Sequence, residues 1–73
     1  MVILLGQTIK SLREKQGYSL DEFAHIVGVT KQTLIKWEHG VSIPRIKHVV
    51  KICDTFNISI HFFLNLCKEN NKA

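Results

Sequence analysis

The stretch from Thr30 to Gly40, "TKQTLIKWEHG", decides how this chain is read. It opens on a threonine suited to cap a helix and closes on a glycine suited to end one. Successive side chains on an α-helix are rotated by about 100°. With Lys31 at zero, Leu34 falls near roughly 300° and Trp37 near roughly 240°, and these two define a buried side. Gln32, Ile35, Lys36 and His39 fall between about 40° and 140° on the same wheel, with Lys31 at the flank in the first turn. The outward face then carries two cations, an amide, an imidazole and one branched apolar group. On this helix alone, a solvated face with a stray isoleucine accounts for the pattern better than a binding surface does.

The flanking sequence narrows the choice. Upstream, "SLDE" places Ser19 as an N-cap with Glu22 three residues on, a capping box, while Tyr18 and Phe23 can close a hydrophobic staple around it. Leu20, Phe23, Ala24 and Val27 supply its apolar stripe and Gly28 ends it. The next helix starts almost at once, with Thr30 as cap and Val29 placed to staple Leu34. A first helix is expected over about Leu5 to Gln16, with Leu5, Ile9 and Leu12 on one stripe and Gly17 as its stop. A fourth is expected over about Arg45 to Phe56, with Ile46, Val49, Val50, Cys53 and Phe56 turned inward and Asn57 as its left-handed end. A fifth starts at Ser59, is stapled by Ile58 and Phe63, and continues to about Cys67, with Ile60, Phe63, Leu64 and Cys67 expected on its core side and Phe62 and Leu66 on the other. Local starts, stops and apolar stripes agree on an all-α fold of five short helices.

Composition sets the outer bounds. A chain of 73 residues forms one domain, here expected to have its helical core over residues 5–67 and a frayed tail over 68–73. Domains of this size bury only ~60% of the surface their unfolded chains expose. An apolar content of 45% excludes a disordered chain, and ten Lys/Arg against six Asp/Glu leave a net charge of +4 that suits an anionic partner. Two cysteines in apolar surroundings do not make a secreted disulfide framework, so a reduced, cytoplasmic chain is expected. The apolar start, Met1 to Leu5, lacks a basic leader and breaks at Gly6-Gln7, which is too short for a signal peptide or a membrane span.

Two capped helices around a turn that contains Gly28 form a helix-turn-helix, in which the second helix offers its outer face to the major groove of DNA. Lysine supplies donors for guanine O6 and N7, glutamine a donor-acceptor pair for adenine, and isoleucine an apolar contact for a thymine methyl. At this point the sequence resembles the Cro and lambda-repressor-like, or XRE-like, helix-turn-helix regulators. The resemblance covers about Leu5 to Leu66 and is carried by "LGQTIKSLREKQGYSLDEFAHIVGVTKQTLIKWEHGVSIP" and "FNISIHFFL". Ala24 stands at the family's helix crossing, Gly28 at its turn, Trp37-Glu38 before its closing Gly40, and Pro44 ahead of its fourth helix.

The resemblance implies a compact five-helix domain and a transcriptional regulator, expected to be a repressor, that needs no cofactor. It places the family's base-contacting positions on Lys31, Gln32 and Lys36, to which the helical wheel adds Ile35. It places a phosphate-binding cap on Ser19, and Thr30 at the next cap joins that set. It pairs Arg13 with Glu38 in a structural salt bridge. Where relatives carry a capping serine after the proline, this chain has Arg45. An arginine there either holds a phosphate together with Lys47 and the free N–H groups of the helix start, or points away into solvent. His39 suits a helix C-terminus by charge and is a further phosphate candidate. Relatives often dimerise through the last helix, which assigns Phe62 and Leu66 to a two-fold interface. A dimer would read an imperfectly palindromic operator in double-stranded DNA, with half-sites ~34 Å apart.

The alternative is a protein-interaction module, or an antitoxin component, that binds a protein partner through its apolar C-terminal helix. Val2, Ile3 and Leu4 either cap the core or add an intermolecular contact. The four histidines and two cysteines lack metal-ligand spacing, and no catalytic set converges, so neither a metal site nor an enzyme is expected.

Overall fold

A computed structural model describes residues 5–70 of the chain. Five helices follow one another: α1 (Leu5–Lys15), α2 (Leu20–Val27), α3 (Lys31–Glu38), α4 (Ile46–Phe56) and α5 (Ile60–Asn70). α1 packs on α3 and α5, α2 packs on α3 and α4, and α4 packs on α5. Val2, Ile3 and Leu4, and the last three residues of the tail, lie outside the described residues.

Helix starts and stops follow local chemistry. Ser19 Oγ accepts from the Glu22 amide and the Glu22 carboxylate accepts from the Ser19 amide, which completes the capping box. Thr30 Oγ1 accepts from the Thr33 amide at 3.2 Å, and Ser59 Oγ accepts from the Phe62 amide at 3.0 Å. The ends are equally regular. The amides of Tyr18, Val29, Val41 and Ile58 donate to the carbonyls of Arg13, Ala24, Lys36 and Cys53, each closing a Schellman motif around a residue in the left-handed region. Gly17, Gly28 and Gly40 fill three of those positions and Asn57, at φ 57°, the fourth. Tyr18, Val29 and Ile58 then pack against the core, whereas Val41 stays 72% exposed.

The core joins all five helices: Ile9, Phe23, Ala24, Val27, Leu34, Trp37, Val49, Ile52, Cys53, Phe63 and Cys67. Tyr18 stacks on Phe23, and Phe23 meets Phe56 at 5.5 Å between ring centroids, which ties α2 to α4.

Two apolar stripes differ from the sequence expectation. In α4, Ile46 is 67% and Val50 39% exposed, while Ile52 is fully buried. Val50 and Ile52 lie about 200° apart on the helix, so spacing could not choose which of them turns inward. The choice falls on Ile52 because α2 and α5 together cover the arc that runs from Ile52 through Phe56 and Val49 to Cys53. In α5, Phe63 and Cys67 are buried, but Ile60 and Leu64 are 37% and 39% exposed. A helix that packs on two neighbours buries a narrow central stripe and leaves both flanks half open. α5 also runs through Asn70, three residues past the expected end.

Both cysteines sit in this core as free thiols. Burial pushes the pKa of both thiols up, with a hydrogen bond from Thr8 partly opposing the shift at Cys67. The native protein should therefore resist thiol labelling near pH 8, and both thiols should react once denaturant exposes them. A colorimetric thiol titration with and without guanidinium checks this, and rapid labelling of the native chain would contradict the burial described.

Candidate nucleic-acid interface

The placement of α3 begins with α1. Gly6 lies against the end of α3, and a Cβ at that position would collide with the Trp37 carbonyl oxygen and stand 3.0 Å from that of Glu38. No side chain fits between the two backbones. The approach also sets the first turn of α1 against the last carbonyls of α3, a favourable meeting of helix dipoles. The sequence alone marks Gly6 only as a break in the apolar start. Nothing in the local pattern requires glycine there, since the constraint comes from residues thirty positions away.

A second link reinforces the first. Arg13 Nε donates to Glu38 Oε2 at 2.8 Å, Nη2 donates to Oε1 at 3.2 Å, and Nη1 donates to the Tyr18 carbonyl at 2.9 Å. The two side chains are only 10% and 5% exposed. The hydrogen bonds to Glu38 raise the guanidinium pKa above its ordinary value against the opposing effect of desolvation. The pair is therefore a buried, bidentate tie between α1, the turn before α2 and the end of α3.

Held in this way, α3 buries Leu34 and Trp37 and leaves Lys31, Gln32, Lys36 and His39 exposed, with Ile35 half-buried among them. The side chains expected to read bases thus share one outward face. The imidazole of His39 turns back onto its own helix: Nδ1 donates to the Ile35 carbonyl at 2.9 Å. A carbonyl only accepts, so Nδ1 carries the proton and Nε2 is left outward. On the far side Trp37 lies against His48 at 5.2 Å, which couples α3 to the first turn of α4.

The residues expected to hold phosphates differ in how far their polar groups are already committed. Ser19 is exposed and its oxygen accepts within the capping box, which leaves its hydroxyl proton to donate. Thr30 is more committed, since its Oγ1 meets both the amide and the hydroxyl of Thr33. Arg45 stands as N-cap of α4 with no side-chain cap bond, and both Arg45 and Lys47 are exposed. Phe62 is 49% exposed on α5, while Leu66 is half-buried and lines a cleft with Thr8, Ser11, Leu12 and Lys15. That cleft holds ≈ 130 Å³, whereas small-molecule sites start near roughly 300 Å³. Among the described residues no group of three or more His, Cys, Asp or Glu could hold a metal ion, and no helix is long and apolar enough to cross a membrane.

The profile of the helix-turn-helix family matches residues 9–63. The crystal structure of SinR, a master regulator for biofilm formation, in complex with DNA superposes with a TM-score of 0.73 at 36% identity, covering 82% of this chain and 97% of that one. YgzD of Bacillus subtilis, named as an uncharacterized HTH-type transcriptional regulator, is 36% identical over 62 residues, 85% of this chain and 94% of its own. Antitoxin PezA of Streptococcus pneumoniae is 38% identical over 56 residues, 77% of this chain and 35% of its own. Several relatives are longer proteins, of which this chain spans 20% to 57%.

The α1–α3 contact yields two stability predictions. Gly6→Ala should destabilise the fold by about 1–3 kcal/mol through overpacking. Glu38→Gln should cost more, about 3–5 kcal/mol, because Arg13 would keep a buried charge without its counterion. Urea unfolding monitored by Trp37 fluorescence measures both, and a Glu38→Gln protein as stable as wild type would remove the tie from the account.

Proposed function

The chain belongs to the XRE-like helix-turn-helix family of DNA-binding transcriptional regulators, and on that premise we propose that it represses transcription by seating α3 in the major groove of an operator. The observation that carries this reading is the division of α3 into two faces: Leu34 and Trp37 buried, Lys31, Gln32 and Lys36 exposed. A helix with its side chains is about 10–12 Å across, which matches the roughly 12 Å width of the groove it would enter. Lys31 and Lys36 donate to guanine, Gln32 reads adenine, and Ile35 meets a thymine methyl at the edge of the contact.

Ser19, Arg45 and Lys47 hold phosphates on either side, with Thr30 in a lesser role because its hydroxyl already serves Thr33. His39 joins them only as imidazolium: Nδ1 is committed to Ile35, so a neutral ring would turn a lone pair toward the phosphate. The protein acts in the cytoplasm and needs no cofactor to bind DNA.

The operator is an imperfect palindrome bound by a homodimer through α5, where Phe62 and the exposed edge of Leu66 contribute. The similarity to PezA favours a second reading, in which the chain is the DNA-binding part of an antitoxin that also holds a protein partner.

Two measurements bear on these roles. Gln32→Ala should lose about 1–3 kcal/mol on the selected sequence and relax preference at one base pair, whereas Arg45→Ala should weaken all duplexes alike and reduce the salt slope by about one. Equal losses on selected and shuffled duplexes for both variants would refute the division into readers and clamps. For assembly, sedimentation of wild type against Phe62→Glu should give a dimer and a monomer; identical masses would exclude Phe62 from the interface.

A further inference from the structure

Lys31 opens α3, and no acidic residue stands in that helix's first turn. A cation in this position opposes the helix macrodipole. Its compensation comes from the other helix of the motif: Lys31 Nζ lies 3.8 Å from Oδ2 of Asp21. Asp21 itself stands in the first turn of α2, where an anion is favoured. The ion pair therefore bridges α2 and α3 beside the exposed Gln32, on the surface assigned above to base reading. Its partners are 46% and 76% exposed, so the contact exchanges freely with solvent.

We propose that Asp21 is a specificity-determining residue, which occupies the Lys31 ammonium in the free protein and yields it to a base edge able to replace the carboxylate. The inference rests on the DNA-binding reading and assigns a role to a residue outside its contact set. Guanine presents two acceptors, O6 and N7, in the major groove. They repay the loss of Asp21 better than any other base edge within a lysine's reach. A non-cognate duplex offers Lys31 little beyond general attraction to phosphate, and Asp21 enters the same field as a like charge. The guanine-bearing complex must break the ion pair, whereas a non-cognate complex can keep it, so Asp21 weakens the guanine-bearing complex most. Its effect is to narrow the gap in affinity between a guanine-bearing site and other sequences.

The experiment measures binding of wild type, Asp21→Asn, Asp21→Glu, Lys31→Ala and the Asp21→Asn/Lys31→Ala double variant by fluorescence anisotropy. The probes are a duplex selected by the wild-type protein from a random pool and a shuffled duplex of the same composition. Asp21→Asn should tighten binding to the selected duplex by roughly three- to fivefold, in keeping with one exposed ion pair, and tighten the shuffled duplex less, so the ratio between them rises. Asp21→Glu, which keeps the charge, should hold the ratio near that of wild type, and in the Lys31→Ala background the Asp21→Asn effect should largely vanish. Equal tightening on both duplexes and in both backgrounds would reduce Asp21 to a general charge and overturn the proposal, as would no change at all. Failure of the DNA-binding reading looks different: no sequence would be enriched from the pool, and Lys31→Ala would alter binding to neither duplex.

Discussion

The close approach of α1 to the end of α3 governs what this small protein can do. Gly6 lets the two backbones meet at the carbonyls of Trp37 and Glu38, and Arg13 fastens Glu38 from the same helix. An eight-residue helix has little stability of its own in water, because nucleation costs more than a few hydrogen bonds return. The orientation of α3 is therefore borrowed from its surroundings: Leu34 and Trp37 in the core, Gly6 behind its last turn, and a buried ion pair at its final residue. A reading helix must hold its side chains in a reproducible frame if base edges are to be told apart. The α1–α3 contact supplies that frame through Gly6, Arg13, Trp37 and Glu38, none of which is proposed to touch DNA.

The buried Arg13–Glu38 pair serves as a constraint more than as a source of stability. Desolvating two charges offsets much of their attraction, and an apolar replacement of similar volume can match such a pair in free energy. The fork of the guanidinium contributes direction: two bonds to one carboxylate and a third to the Tyr18 carbonyl hold three segments in a single relative orientation. Around this fixed centre the surface divides by chemistry. Cations and an amide gather on α3 and the start of α4, while apolar side chains remain open on α5, on the flank of α4 and at Val41 and Ile43. The homodimer proposed above would cover the part of this apolar surface that lies on α5.

The five helices were legible in the sequence because their limits are set by local physics. Capping hydroxyls at Ser19, Thr30 and Ser59, and left-handed ends at Gly17, Gly28, Gly40 and Asn57, act within a few residues and need no tertiary partner. The two faces of α3 were legible for a related reason: Leu34 and Trp37 are the large apolar residues on one side of a short, otherwise polar helix, so a single burial pattern satisfies them. The long-range Arg13–Glu38 pair was reached through family resemblance, since nothing local links residues twenty-five positions apart.

What the tertiary structure alone decided lies where local preference is degenerate or silent. α4 carries apolar residues over an arc of about 160°, and only the positions of α2 and α5 selected Ile52 over Val50 and left Ile46 in solvent. Ile60 and Leu64 were displaced from the core in the same way, because α5 meets its neighbours along a narrow stripe. The need for glycine at position 6 and the pairing of Asp21 with Lys31 both arise from segments brought together by folding. The sequence by itself determined where helices begin and end and which side of α3 is apolar, because those depend on interactions a few residues long. The packed fold determined which apolar side chains stay outside and how α3 is aimed, because those depend on the shape of the surfaces that cover them.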